Sequence, residues 1–148
     1  MFNAEIQSRR DNTLLTVDFN LRTARVICPY QDIWGIINNK GGKLYRINSM
    51  SDHVHLLFTM PQTIALSDFM KAIKASSSKI IKSVDGFEKF KAWGEGYAAL
   101  SCNLREKDVI VKYIINQQEH HKKVTFRDEY ISFIKEMGLE FDERDWDR

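Results

Sequence analysis

The run Asp52-His53-Val54-His55-Leu56-Leu57-Phe58 constrains this chain more than any other stretch. Val54, Leu56, Phe58 and Met60 form an apolar row at every second position, the mark of a strand with a buried face. The opposite row is His53, His55, Leu57 and Thr59, so both imidazoles leave the strand on one side. Neighbours along one face stand roughly 7 Å apart, close enough for two rings to lean onto one divalent ion. A His-x-His pair is equally compatible with two ordinary strand histidines, one hydrogen-bonded and one solvated. A third ligand and a reactive group have to come from elsewhere in the chain.

The length, 148 residues, suits a single domain over 1–148 with a core that needs no staples. No run approaches the roughly 18 apolar residues of a membrane span, and Met1-Phe2-Asn3-Ala4-Glu5 does not read as a signal peptide, so a cytoplasmic protein is expected. Cys28 and Cys102 lack C-x-x-C spacing, which points away from a zinc knuckle or a disulfide framework. Charge is segregated: residues 40–82 carry seven basic groups against two acidic ones, and residues 124–148 carry eight acidic against four basic. A basic middle with an acidic C-terminal extension fits a polyanion-binding surface offset by a solubilising end, or simply a solvated surface.

Residues 1–12 are polar and aperiodic. Leu15, Val17 and Phe19 alternate with polar residues as a first strand. Pro29 suits the first turn of a helix carrying the stripe Tyr30, Ile33, Trp34 and Ile37, and Lys40-Gly41-Gly42 stops it. A strand over Lys43 to Asn48 turns through Ser49-Met50-Ser51-Asp52 into the histidine strand, which Pro61 closes. Two strands joined so tightly are antiparallel. Ser67 is a plausible N-cap for a helix burying Leu66, Met70, Ile73, Ser77, Ile80 and Val84. Lys71, Lys74, Lys79 and Lys82 occupy its other side without one acid among them, which makes Lys71, Lys74 and Lys82 candidates for phosphate contacts. In the loop 85–96, Gly86, Gly94 and Gly96 bracket Phe87, Phe90 and Trp93, rings that could stack on bases but more simply pack over the sheet edge. Tyr97 to Asn103 reads as a strand, and Asn103 with Glu106 as a capping box opening a helix to about His121. The order β-α-β-β-α-β-α specifies an α+β, ferredoxin-like (RRM-like) fold with an antiparallel sheet and helices on one face.

The last helix places Tyr113, Gln117 and His121 at i, i+4 and i+8, on one face. A tyrosine followed one turn later by a glutamine can present a phenol and an oxygen ligand to one point, or the tyrosine can simply pack at the core margin. His120 and His121 point about 100° apart, which argues against both binding one ion.

The segments His53-Val54-His55-Leu56-Leu57, Trp93-x-x-Gly96-Tyr97-x-Ala99 and Tyr113-Ile114-x-Asn116-Gln117-x-Glu119-His120-His121 resemble, in order and spacing, the single-tyrosine, histidine–hydrophobe–histidine (HUH) transposases of small bacterial insertion sequences, the IS200-like family that includes REP-associated tyrosine transposases. The resemblance runs from about Tyr30 to Trp146 and takes in Gly41 to Lys43, Phe126-x-x-Glu129-Tyr130 and Phe141-Asp142-Glu143-Arg144. Ser51 stands where many members have proline, and the first 25 residues match poorly. The resemblance implies that His53, His55 and Gln117 ligate Mg²⁺ or Mn²⁺. It implies that Tyr113 cuts single-stranded DNA bearing hairpin ends and keeps the 5′ phosphate. It also implies a homodimer that shares active sites between subunits.

The chemistry is coherent. A cation with open positions neutralises the charge developing on a phosphodiester under in-line attack. A phenol with a pKa of about 10 needs activation, and as a good leaving group it makes the step reversible. Two other readings stand beside this one: a domesticated relative acting on genomic palindromes, and a non-catalytic nucleic-acid-binding module on the same sheet. A two-histidine phosphoesterase would need a second H-x-Ser/Thr motif, which is missing.

Overall fold

The computed structural model describes residues 13–20, 30–50, 53–85, 87–88 and 90–146. Pro29, Cys28, the turn residues Ser51 and Asp52, Gly86 and the polar segment 1–12 lie outside them. The elements are β1 (Thr13–Asn20), α1 (Tyr30–Asn39), β2 (Lys43–Ser49), β3 (His53–Met60), α2 (Leu66–Ser83), β4 (Ala98–Ser101), a 3₁₀ turn at Leu104–Glu106, α3 (Lys107–Ile115), α4 (Gln117–His120), α5 (Phe126–Glu136) and α6 (Glu143–Trp146). The sheet is antiparallel throughout, in the order β2-β3-β1-β4. The expected β-α-β-β-α-β-α succession is therefore observed through α3, and β3 is an inner strand between β1 and β2.

The stop after α1 is specific. Gly41 takes φ 79°, Gly41 N–H donates to Asn38 O and Gly42 N–H to Ile37 O, each at 2.9 Å, which is the Schellman pattern that satisfies the last helical carbonyls. A Cβ on Gly42 would lie 2.5 Å from Thr59 O and 2.9 Å from Ile37 Cγ2, so the chain can pass between α1 and β3 only without a side chain. Of the α1 stripe, Ile33 and Ile37 are fully buried, whereas Trp34 faces solvent.

The helix α2 begins one residue before the expected cap. Its N-cap is Ala65, with no side-chain hydrogen bond, and Ser67 sits inside the first turn. The buried stripe is Phe69, Met70, Ile73, Ser77 and Ile81, displaced from the expected one because Phe69 stacks on Phe58 with ring centroids 5.3 Å apart. Ile80 is only partly covered and Val84 is exposed at the C-cap. The hydroxyl of Ser77 donates to Ile73 O at 2.6 Å and accepts from Trp93 Nε1 at 2.8 Å, so a polar residue in the stripe is fully used. Trp93 and Phe90 join the core, which settles their rings as packing groups.

Val54, Leu56, Phe58 and Met60 pack against α1 and α2. On the opposite face Leu57 meets Ile110 and Ile114 of α3. The expectation of helices on one face holds for α1 and α2, while α3 covers the other. The physical reason is that every residue of β3 is buried, so both faces require a cover. A bulge between Leu44 and Arg46 sets Tyr45 out of the β2–β3 register, and its ring joins the α3-side cluster.

The two glycines of this region give opposite expectations. Gly42→Ala should destabilise the fold by about 1–3 kcal/mol through overpacking. Gly35→Ala, inside α1 with nothing within 4 Å of the added carbon, should stabilise it by about 0.5–1 kcal/mol. Urea unfolding of the two variants checks both signs, and a neutral Gly42→Ala would contradict the close approach.

Candidate functional site

The histidine row of β3 is sealed from water: His53 and His55 are each 1% exposed. Their backbone is fixed from both sides, His55 opposite Asp18 of β1 and Asn48 of β2, His53 opposite Asn20. Asn48 does more than pair. Its Nδ2 donates to Ile114 O at 2.7 Å and its Oδ1 accepts from Ser49 N–H at 3.0 Å. One buried amide thus ties the last turn of α3 to the sheet beside the histidines.

The capping box forms as the sequence indicates, with Asn103 accepting from Arg105 N–H and Glu106 accepting from Asn103 N–H, each at 3.0 Å. The expected continuous helix to His121 does not. Asn116 takes φ −86°, ψ 3°, and separates α3 from α4. Tyr113, in the last turn of α3, stays partly exposed, while Gln117, first in α4, is fully buried. The Oε1 and Nε2 of Gln117 are buried with no hydrogen-bond partner among the described residues.

The segment after α4 returns to the site. Thr125 caps α5, its Oγ1 accepting from Asp128 N–H at 3.1 Å. Phe126, the first helical residue, lies flat on the His53 ring, centroids 4.0 Å apart and planes 12° from parallel. Glu129 is three residues on, hence on the same side of α5. Its Oε1 accepts a hydrogen bond from the Tyr113 hydroxyl and lies 3.2 Å from His120 Nε2, and its Oε2 lies 3.2 Å from His121 Nε2. Tyr130 and Phe141 continue the aromatic contact outward, and Arg127 pairs with Glu143.

Three ring nitrogens therefore converge. His53 Nε2 is 2.9 Å from His55 Nε2 and 2.9 Å from His121 Nε2. One donor atom from each of His53, His55, His121 and Glu129 falls within 4.8 Å of all the others. The Tyr113 ring centroid is 6.2 Å from that of His55 in the same chain. Adjacent ligands at ~2.1 Å on an octahedral ion stand about 3 Å apart, so these nitrogens are spaced as neighbouring ligands are. A proton on His53 Nε2 can serve both contacts only as a shared, three-centre bond, whereas one cation would satisfy every lone pair. The donor set fits a divalent ion, and the Gln117 amide at the start of α4 is buried without a hydrogen-bond partner among the described residues.

Of the residues singled out from sequence, His53, His55, Tyr113 and His121 are gathered at one point, and Gln117 is buried at the start of the adjoining α4. Lys71, Lys74 and Lys82 are on α2, across the sheet from the imidazoles. Lys71 and Lys82 are exposed. Lys74 Nζ donates to Gly94 O, Glu95 O and Gly96 O at 2.9, 3.2 and 2.7 Å and lies 5.3 Å from the centre of the Tyr97 ring. Burial lowers its pKa from 10.5 to about 8, so it remains largely an ammonium at neutral pH. Glu129 was not a candidate from sequence. The Thr125-x-x-Asp128 cap and the Phe126/Glu129 spacing were the legible signals for it, and only the return of α5 to β3 gives them a target.

The family model described as "Transposase IS200 like" matches residues 22–117. The ISDra2 transposase TnpA of Deinococcus radiodurans is 30% identical over 89 residues, which span 57% of this chain and 64% of that protein. A crystal structure of a putative transposase from Deinococcus radiodurans R1 superposes with a TM-score of 0.52 at 20% identity, covering 76% of this chain and 96% of the other. The structure of a REP-associated tyrosine transposase bound to a REP hairpin superposes with a TM-score of 0.57 at 16% identity, covering 82% and 76%. These two share the fold.

Asn48→Ala should lower stability by about 1–3 kcal/mol, because it removes the side-chain donor to the buried Ile114 carbonyl. Hydrogen exchange should show the added opening concentrated at the end of α3. Uniform loss of protection, or none, would remove Asn48 from its role as the tie.

Proposed function

This chain belongs to the IS200-like transposase family, and from that premise we propose that it nicks and rejoins single-stranded DNA, with Tyr113 as nucleophile and with His53, His55 and Gln117 as ligands of Mg²⁺ or Mn²⁺. The observation that carries this reading is the Tyr113 phenol beside the buried imidazole pair of its own chain. Flanking DNA that folds into hairpins is the proposed substrate.

The proposed step begins with the Tyr113 oxygen attacking a backbone phosphorus. The new O–P bond joins the 5′ phosphate to the protein, the P–O3′ bond breaks, and the departing oxygen takes a proton as a free 3′ hydroxyl. Attack by another 3′ hydroxyl reverses the exchange and releases the phenol. A bound divalent ion supplies charge neutralisation at the phosphate. Glu129, already hydrogen-bonded to the phenol, fixes its direction and is placed to accept its proton.

The resemblance implied active sites shared between two subunits. Tyr113 lies beside the His53–His55 pair of its own chain, which supports action of Tyr113 in cis, with or without homodimerisation. Lys71 and Lys82 remain the proposed phosphate contacts on α2. Lys74 is the weaker candidate of the three, since its ammonium already serves three carbonyls.

Tyr113→Phe should abolish the covalent protein–DNA adduct seen on denaturing gels and leave hairpin binding within about twofold, because only the attacking oxygen is removed. An undiminished adduct would exclude Tyr113. Mixing Tyr113→Phe with His53→Ala protein should restore no cleavage if the tyrosine acts in cis; recovered cleavage would show exchange between subunits. Lys71→Ala with Lys82→Ala should flatten the salt dependence of DNA binding, by about 0.7 in log–log slope for each single-strand phosphate no longer neutralised. An unchanged slope would return that face to solvent.

A further inference from the structure

Resting on the reading that a divalent ion binds at the histidine pair, we propose that His121 and Glu129 join the proposed ligands, and that three imidazoles and one carboxylate make the site take a first-row transition-metal dication in preference to Mg²⁺. His53 and His55 come from β3, His121 from the end of α4 and Glu129 from α5, so the site closes only when the segment after α4 has folded back.

Three observations carry this. First, the donor atoms are at ligand spacing: His121 Nε2 is 2.9 Å from His53 Nε2, and Glu129 Oε2 is 3.2 Å from His121 Nε2. Second, the tautomer is set. His121 Nδ1 lies 2.9 Å from Val124 O, and a carbonyl can only accept, so Nδ1 carries a proton and Nε2 is the nitrogen turned to the cluster, free to ligate. A backbone oxygen holding the outer nitrogen of an imidazole is the arrangement that orients metal-ligating histidines. Third, Glu129 Oε2 is buried and makes no hydrogen bond among the described residues, its position opposite His121 falling outside hydrogen-bond geometry. Its other oxygen holds the Tyr113 hydroxyl, so one carboxylate links the nucleophile to the donor cluster.

The donor set selects the ion. Imidazole nitrogen is a borderline ligand that suits zinc, copper, iron and nickel, and manganese accepts mixed nitrogen and oxygen donors. Magnesium keeps oxygen ligands and several waters. Three imidazoles around one point oppose magnesium and suit the transition series. His120, one residue earlier and turned away, stays outside the cluster on the other oxygen of Glu129.

The test is calorimetric titration of the full chain, free of DNA, with Mn²⁺, Zn²⁺ and Mg²⁺ in turn, for the unaltered protein and for His121→Ala, His121→Gln, Glu129→Gln and His53→Ala. Mn²⁺ and Zn²⁺ should bind at least about tenfold more tightly than Mg²⁺. His121→Ala should weaken both by about 10–100-fold, and His121→Gln should retain more Mn²⁺ than Zn²⁺ binding by supplying an oxygen. Absorption of the Co²⁺-loaded protein should change between the unaltered chain and His121→Gln, a readout that packing changes alone would leave in place. Circular dichroism verifies that each variant is folded. Binding lost in His53→Ala but unchanged in both His121 variants would overturn the four-donor site and leave the pair-based reading standing. Absence of any ion binding to the unaltered chain would overturn both.

Discussion

Three imidazole nitrogens brought to one point, two of them on fully buried rings, are the constraint around which the chain is built. Taking polar nitrogens out of water is costly, so their convergence has to be held in place by the surrounding fold. β3 contributes two of them from adjacent positions of one face, and the sheet fixes that face by pairing β3 with β1 and β2 along its length. The third arrives by a different route. The break at Asn116 re-aims the chain after α3, and the turn at Val124 fixes the His121 ring through its own backbone oxygen. Neither device is regular secondary structure, and both lie where the site is assembled.

The sheet divides the molecule by task. On one face α1 and α2 bury a conventional apolar layer around Val54, Leu56 and Phe58, sealed by the Trp93–Ser77 hydrogen bond. On the other face a smaller apolar cluster, Leu57 with Ile110 and Ile114, gives way to the histidines and the phenol. The same strand thus serves as core and as bearer of the clustered histidines. The lysines of α2 belong to the scaffold side, and one of them, Lys74, has become structural: its ammonium holds three consecutive carbonyls of a segment without strand pairing.

What was legible in the sequence followed from local rules. Alternation gave β3 and its histidine face, the paired glycines gave the end of α1, and Asn103 with Glu106 gave the capping box, because each of these depends on residues within a turn of one another. The missed features depend on distant partners. Ser67 has the chemistry of a cap, yet the helix starts at Leu66, because packing of Phe69 on Phe58 sets where α2 lies. A period of 3.6 runs straight through Asn116, so the pattern showed no break there. Glu129 is 16 residues from Tyr113 in sequence, and only the stacking of Phe126 on His53 brings the two together. The acidic extension, read as a solubilising end, proves to be a wall of the site.

The complete burial of β3 has a bearing on how such a chain can change over generations. A strand with one wet face has positions where substitutions drift freely, and chemistry can be tried there at little risk to folding. This one has none: eight consecutive side chains face protein on one side or the other. Whatever alters the histidines also disturbs the hydrophobic interior, and the converse holds as well. Any selection on the clustered histidines and selection for the fold act on the same eight letters, so this segment would be expected to persist for its packing alone.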